Sequence, residues 1–145
     1  LVQKIVKAYD DYEKKAASKT ARGERKAPAV KNTRKGIIGN DSSIEYEAEK
    51  KLDLPYEKII KEIVEASLDF EKCPYEAEVN VILTDNDAIQ AINKEHRQID
   101  APTDVLSFPM VDYEKPSDFD HVEDAVEDYF NPETGELMLG DIVIS

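Results

Sequence analysis

The spacing of apolar residues after Ile44 constrains the fold of this chain more than any other feature. Segments whose apolar residues alternate, as in half-buried strands, are separated by segments with helical spacing of three and four. This alternation predicts the order β-α-β-α-β-β, a mixed α/β (α+β) fold with a small mixed sheet packed with helices. The predicted strands are Ile44–Ala48, Glu76–Leu83, Val105–Met110 and Leu137–Ser145.

Two helices are predicted between these strands. The first begins at Leu54-Pro55, with Pro55 near its first turn, and Pro74 prevents its continuation. Its predicted apolar stripe is Ile59, Ile60, Ile63, Val64, Ser67 and Leu68. The second helix follows Thr84, which has capping-box spacing to Asp87.

The strands differ in how they should be covered. Ala77, Val79, Val81 and Leu83 alternate on one face of their strand, with Ile82 on the other, so this strand should have one well-buried side. Val105–Met110 is a short apolar run and is expected to be a strand covered on both faces.

The chain before Ile44 divides into two parts. Residues 1–13 have the spacing of an amphipathic helix that is too short to be stable without a docking partner. Residues 14–43 are predicted to be a basic flexible linker, since they contain almost no large apolar side chains. The alternative is a basic arm that binds RNA phosphates. Residues 44–145 are the predicted domain.

Composition limits the class of protein. The formal net charge is −13, but residues 14–35 carry +8 and residues 36–145 carry −20. An acidic body argues against nucleic-acid binding by the folded part, because phosphate contacts need cations. Cys73 is the sole cysteine, which excludes an intramolecular disulfide, and no run is apolar enough for a membrane span or signal peptide. We therefore expect a cytoplasmic protein.

Residues 112–135 form a long acidic segment. Asp118, Asp120, Glu123 and Asp124 cluster there, but an EF-hand is excluded because the required glycine is missing. A connection of this length is either functional or mobile. We expect a solvated link between two strands.

The stretch from Asn93 to Pro109 carries the strongest candidate for chemistry. It predicts a helix end, a turn and a buried strand, with Arg97 at the corner. A guanidinium is permanently charged and binds phosphate oxygens through a bidentate fork. The alternative is that Arg97 caps the helix or pairs with Asp100 or Asp104.

Other polar residues in this stretch have simpler explanations. His96 lies on the apolar face of the predicted helix and is interpreted as a packed core histidine. Thr103 and Asp104 are expected to bond turn amides, and Ser107 to be a strand residue without a nucleophilic role.

The pattern Asn93-x-x-x-Arg97, followed by Thr103-Asp104-Val105-Leu106-Ser107-Phe108-Pro109 and by Leu139-Gly140-Asp141-Ile142-Val143-Ile144-Ser145, resembles the YbeY family of bacterial endoribonucleases and rRNA maturation factors. The resemblance covers roughly residues 44–145. It implies cleavage of single-stranded RNA, with ribosomal RNA and small-subunit proteins as partners. It also implies catalytic roles for Arg97 and Asp141, with Arg97 binding substrate and Asp141 pairing with Arg97 or facing the cleft.

The resemblance further implies zinc held by three histidines in the pattern H-x-x-x-H-x-x-x-x-x-H. Only His96 and His121 occur here, neither with that spacing, so no metal ligand is assigned and the ligands are expected beyond Ser145. This stretch alone should then be inactive. Histidine at 96 also departs from the family, which usually has an aromatic ring there.

Two other interpretations stay open. The acidic body favours a non-catalytic ribosome-assembly or protein-binding module, because it would meet basic ribosomal proteins more readily than RNA. Residues 1–13 weakly resemble the C-terminal tail of PhoH-type ATPases, which would make this chain a junction with an upstream ATPase.

Overall fold

The computed structural model describes residues 42–145, which form a single four-stranded sheet with helices. The predictions for residues 1–41 lie outside the described residues. The elements in chain order are β1 (Ser42–Tyr46), α1 (Tyr56–Phe70), β2 (Ala77–Leu83), α2 (Asn86–Arg97), β3 (Val105–Pro109), a 3₁₀ helix (Val122–Ala125), α3 (Val126–Tyr129) and β4 (Leu137–Ile144).

The sheet is mixed, and its strand order is β1-β2-β4-β3. β1, β2 and β4 run parallel, and β3 pairs antiparallel with β4 at the edge. The predicted α+β class and the order β-α-β-α-β-β are confirmed, with two short helices added in the acidic segment. β1 begins at Ser42, two residues before the predicted start.

The two long helices cover opposite faces of the sheet. Side chains alternate along β2, so Val79, Val81 and Leu83 face one side and Ile82 the other. Ile60 and Val64 of α1 pack against the first side. Ile89 and Ile92 of α2 pack with Ile82, Leu106, Phe108 and Val143 on the second. The predicted burial of the face formed by Ala77, Val79, Val81 and Leu83 is confirmed, and Ile82 on the other face is buried as well.

The apolar stripe of α1 is narrower than its sequence predicts. Leu68 is buried and Ile60 and Val64 are half-buried, whereas Ile59 and Ile63 are 39% and 59% exposed. The helix rests on the sheet along one line of residues spaced by four, and Ile59 and Ile63 lie on the flank of that line. Their assignment to the buried stripe was wrong.

The predicted cap of α2 is displaced by one residue. Asp85, rather than Thr84, occupies the cap position, and its carboxylate accepts from the amide of Ala88 (3.1 Å). Asp is as good a cap as Thr, and Thr84 is buried at the end of the sheet, where its amide bonds the carbonyl of Ile144.

The prediction that β3 is covered on both faces was wrong. Leu106 and Phe108 are buried, but Val105, Ser107 and Pro109 are exposed. β3 is the edge strand beside β4, and α1 packs against β1 and β2 on that face, so nothing among the described residues covers the outer side of β3.

The acidic segment is anchored to the core, so the expectation of a solvated connection was wrong. Val122 is fully buried and Phe130 is 4% exposed. Both join Leu68, Cys73, Tyr75, Ala77, Val111 and Leu137 in a cluster at the beginning of β2 and β4. Tyr75 donates to Oε1 of Glu123 (2.8 Å), a second tie to the core. Among residues 42–145, no helix combines the length and apolar character needed to cross a bilayer.

Candidate functional site

Arg97 is the last residue of α2, and the chain turns sharply after it. Gln98 adopts a left-handed backbone (φ 60°), with its amide bonded to the carbonyl of Lys94 (3.0 Å). The amide of Ile99 reaches the carbonyl of Asn93 (3.4 Å). These bonds satisfy carbonyls that the helix end would otherwise leave without partners. Arg97 is thereby held, exposed, on the final turn.

Asn93 explains the spacing in Asn93-x-x-x-Arg97. It lies one helical turn before Arg97, is 2% exposed, and donates its amide nitrogen to the carbonyl of Ala101 (2.8 Å). Its amide oxygen accepts a long hydrogen bond from the Arg97 guanidinium (3.5 Å). One buried side chain thus ties the turn to the helix and contacts the guanidinium of Arg97.

The charge of Arg97 is not neutralised within residues 42–145. Asp100, one of its predicted alternative partners, binds Lys94 (2.7 Å) and Gln90 (2.9 Å) instead. The hydrogen bond from Lys94, followed by the one from Gln90, lowers the pKa of Asp100. Asp104, the other alternative, accepts from the amide of Val105 (2.9 Å), which is the turn role predicted for it. The guanidinium is therefore available to an anionic ligand.

Asp141 lies in the middle of β4 and is 8% exposed. The amide nitrogen of Asn80, its register neighbour on β2, donates to Oδ1 of Asp141 (2.8 Å). Burial raises the pKa of Asp141, and the charge of Glu78 raises it further, against the lowering effect of the Asn80 bond. Within the described part of the chain, Asp141 makes no ion pair with Arg97, so that predicted pairing was wrong: Asn80, not Arg97, is adjacent to it across the sheet.

The residue before Asp141 must be glycine. Gly140 has φ +130°, and a Cβ built there would lie 2.1 Å from the carbonyl oxygen of Phe108. The pairing of β2 with β4 shifts register at this point, between Glu78 and Val79. The glycine lets the β3 backbone approach closely and sets the position at which Asp141 enters the sheet.

His96, the neighbour of Arg97 in α2, contacts Phe108 of β3. His96 is half-buried with its ring edge-to-face against Phe108 (5.2 Å between ring centres), in agreement with its interpretation as a packing residue. Phe108 is the register partner of Asp141 on β3. Asp141 and α2 are therefore on the same side of the sheet, although the structure shows no direct bond between Arg97 and Asp141.

Asn80 was missed by the sequence analysis. The signal was present: Glu78 and Asn80 are the polar residues of an otherwise apolar strand. The alternation identifies the buried face of β2, and the polar face carries Glu78 and Asn80. A surface depression of about 580 Å³ lies at the carboxyl ends of β1 and β2, and neither Arg97 nor Asp141 lines it.

The residues described do not fit a zinc site. Among residues 42–145, no group of three or more His, Cys, Asp or Glu side chains is placed to hold a metal ion. His96 is on α2, whereas His121 precedes the 3₁₀ helix and contacts the carbonyl of Asp112 (2.8 Å). No catalytic step is assigned to a metal on the basis of these residues.

Comparison with known proteins identifies the family of this chain. Residues 43–145 match the family model described as Endoribonuclease YbeY. The chain belongs to the YbeY family. Among its YbeY relatives, a protein named Endoribonuclease YbeY from Lachnospira eligens is 65% identical over 106 residues, covering 70% of this chain and 63% of the relative.

Two further YbeY proteins extend the comparison. The one from Lachnoclostridium phytofermentans is 62% identical over 102 residues, covering 70% of this chain and 62% of the relative. The one from Clostridium botulinum strain Loch Maree is 46% identical over 96 residues, covering 66% and 58%. The chain thus spans less than two thirds of the length of these relatives.

Proposed function

We propose that this YbeY-family protein is a metal-dependent endoribonuclease that hydrolyses phosphodiester bonds in single-stranded RNA during rRNA maturation and ribosome quality control in the cytoplasm. The observation that carries the proposal is the state of Arg97. It is exposed, fixed at the end of α2, and makes no ion pair with any residue of the described part. The name shared by the relatives supplies the reaction class.

Arg97 is assigned both substrate binding and catalysis. Its guanidinium can hold two oxygens of one phosphate, which fixes the scissile group in one orientation. The same donors stabilise the negative charge that builds up on the phosphoryl oxygens during cleavage. The positive charge of Arg97 is also stabilised by the negative C-terminal end of the α2 dipole, so placing the arginine there costs little free energy.

Asp141 is assigned an orienting role. A carboxylate buried in a strand must be hydrogen-bonded, and one of its oxygens is held by Asn80. The other makes no hydrogen bond within residues 42–145, so it can accept from a donor on the substrate. Zinc is the cofactor that the family resemblance implies, and we propose that its ligands lie outside the described residues.

The proposed partners are ribosomal RNA and proteins of the small ribosomal subunit, with linkage to a PhoH-type ATPase through the segment before β1. Residues 14–35 carry +8 and the described residues carry −19. Because RNA phosphates avoid an acidic surface, the basic segment supports the proposal by supplying the long-range attraction that the body lacks.

The second candidate function is a non-catalytic module that binds basic ribosomal proteins. The charge of −19 on residues 42–145 favours it. A module that binds basic proteins has no use for Arg97, an exposed arginine that forms no ion pair within residues 42–145. For this reason the nuclease is the first candidate.

Salt titration of RNA binding separates the two candidates. The full-length protein is titrated with a fluorescent single-stranded RNA at increasing salt, as wild type and as Arg97→Gln and Lys94→Gln. Each phosphate contact on a single strand contributes about 0.7 to the slope of log K against log salt. Arg97→Gln should lower the slope by roughly that amount. Lys94→Gln should not, since Lys94 is engaged by Asp100.

If the full-length protein binds no RNA even at low salt, the nuclease proposal is contradicted and the protein-binding module is favoured. Equal slopes for the wild type and Arg97→Gln would remove Arg97 from the RNA contact.

A further inference from the structure

Three polar side chains form a row across the sheet on the side that faces α2. Ser43 of β1, Asn80 of β2 and Asp141 of β4 are register neighbours in adjacent strands. Ser43 Oγ donates to Oδ1 of Asn80 (2.6 Å), and Nδ2 of Asn80 donates to Oδ1 of Asp141 (2.8 Å). The row becomes less exposed from Ser43, at the surface, to Asp141, which is buried.

The chemistry of the row allows one orientation of the Asn80 amide when Asp141 is ionised. An ionised carboxylate only accepts, so the NH₂ group must face it and the amide oxygen must face the other way. Ser43 meets that oxygen with its single hydroxyl hydrogen. Turning the amide over would place its oxygen against a carboxylate oxygen, two acceptors without a proton between them. By donating to the amide oxygen, Ser43 stabilises the orientation that the ionised Asp141 requires, with the donor of Asn80 directed at Asp141.

The row has a consequence for the carboxylate. Oδ1 of Asp141 is fixed by Asn80, while Oδ2 makes no hydrogen bond to a residue of the described part. Gly140 and the close approach of Phe108 fix the backbone on the preceding side. Both the position and the rotation of the carboxylate are then set before any ligand arrives, which is what a preorganised group requires.

We infer that Asn80, held by Ser43, is a positioning residue that orients Asp141 for the proposed RNA hydrolysis and keeps Oδ2 directed to the substrate. The inference rests on the proposed function for its catalytic part. Asn80 acts through Asp141 and is not itself assigned contact with the RNA.

The first test is independent of activity. The carboxyl carbon of Asp141 is titrated by NMR in the wild type, Asn80→Leu and Ser43→Ala. Leucine has the same number and branching of side-chain heavy atoms as asparagine but lacks the donor that stabilises the ionised carboxylate, so the titration midpoint of Asp141 should move to higher pH. Ser43→Ala removes the hydrogen bond that supports this orientation of the amide and should move the midpoint in the same direction by less. Because Ser43 is exposed, the Ser43→Ala variant should fold even if Asn80→Leu does not, and the test then rests on Ser43→Ala.

Gln90→Leu is the matched control. It removes the same kind of bond, from a side-chain amide to an aspartate (2.9 Å to Asp100), on the exposed side of α2. It should leave the titration of Asp141 unchanged. An Asp141 midpoint that is equal in the wild type and Asn80→Leu would overturn the inference.

The second test uses cleavage of single-stranded RNA by the full-length protein. Asn80→Leu should lower kcat by about 10- to 100-fold with little change in KM, as partners that orient functional groups do. The pH–rate profile should move to higher pH, a displacement that a merely structural role would not produce. A shifted Asp141 titration with an unchanged pH–rate profile would overturn the catalytic part. A wild type that cleaves no RNA would overturn the proposed function, while the NMR result would still decide whether Asn80 orients Asp141.

Discussion

Replacement of Gly140 by alanine tests how the strand that carries Asp141 is built. The new Cβ would lie 2.1 Å from the carbonyl oxygen of Phe108 and 3.0 Å from Cα of Pro109. Both neighbours are backbone atoms of β3, so no side-chain rotation relieves the collision. The φ of +130° is itself unfavourable for alanine.

The cost follows from these two effects. A non-glycine residue in such a backbone region costs on the order of 1–3 kcal/mol. Separation to ordinary contact requires β3 to retreat by roughly 1 Å, because non-bonded atoms prefer more than about 3 Å. That movement weakens the bond from the amide of Met110 to the carbonyl of Leu139 (2.9 Å), which contributes about 1 kcal/mol. The free energy of unfolding should fall by about 2–4 kcal/mol.

Urea denaturation followed by far-UV circular dichroism measures this, since the chain has no tryptophan to serve as a fluorescent reporter. Gly135→Ala is the control. Gly135 also has a positive φ (77°), so alanine there should cost only the left-handed backbone penalty of about 1–2 kcal/mol. A loss for Gly140→Ala no larger than that of Gly135→Ala would refute the argument that β3 crowds this position.

The remaining predictions concern the anchored acidic segment and the buried carboxylate. Val122→Ala should lower the unfolding free energy by about 1–3 kcal/mol, because two methyl groups are removed from a fully buried site. The exposed control Glu127→Ala should change it by less than about 0.5 kcal/mol. Equal effects of the two variants in thermal unfolding would contradict the anchoring of the acidic segment by Val122. Tyr75→Phe should cost about 1 kcal/mol through loss of the bond to Glu123, and alkaline absorbance titration should show the Tyr75 phenol ionising later than exposed tyrosines, because burial and Glu123 raise its pKa. The stability of Asp141→Asn relative to the wild type should increase as pH rises from below 3.8 to neutral. Folding raises the pKa of Asp141, so within this pH range the folded wild type binds a proton that the unfolded chain has lost. The stability that Asp141 contributes to the wild type is therefore lost as pH rises. A stability difference from the wild type that does not change with pH would contradict this sign.

The architecture was predictable because it depends on local periodicity. The alternation in β2 gave both the strand and its buried face, and the apolar spacing in α2 gave the helix and the packing of His96. The corner at Arg97 was predictable for the same reason, since the helix end and the turn are local features.

Features that depend on contacts between distant segments were not predictable. The apolar run Val105–Pro109 has the composition of a buried strand, but its place at the sheet edge follows from pairing with β4 alone. The burial of Val122 depends on residues such as Leu68 and Leu137, far away in sequence. The segment does carry a helical signal, because its apolar residues are spaced by three and four at Val122, Ala125, Val126, Tyr129 and Phe130, but the spacing does not say what this face packs against.

The candidate site shows the same division. The identity of Arg97 and Asp141 as candidates came from motifs, but their relation did not. A lone carboxylate in an apolar strand indicates that a partner exists without saying which. The register of β2 against β4 selects Asn80, and register is a property of the assembled sheet.

The most direct test of the proposed function is cleavage of a single-stranded RNA by the full-length protein with Arg97→Glu and, in parallel, Lys94→Glu. Both variants make the same change of charge on α2, three residues apart, but Lys94 is already paired with Asp100. Arg97→Glu should abolish cleavage, a fall of more than about 100-fold, while Lys94→Glu retains it and both fold normally by circular dichroism. Cleavage retained by Arg97→Glu, or lost equally in both variants, would contradict the assignment of Arg97 to the reaction.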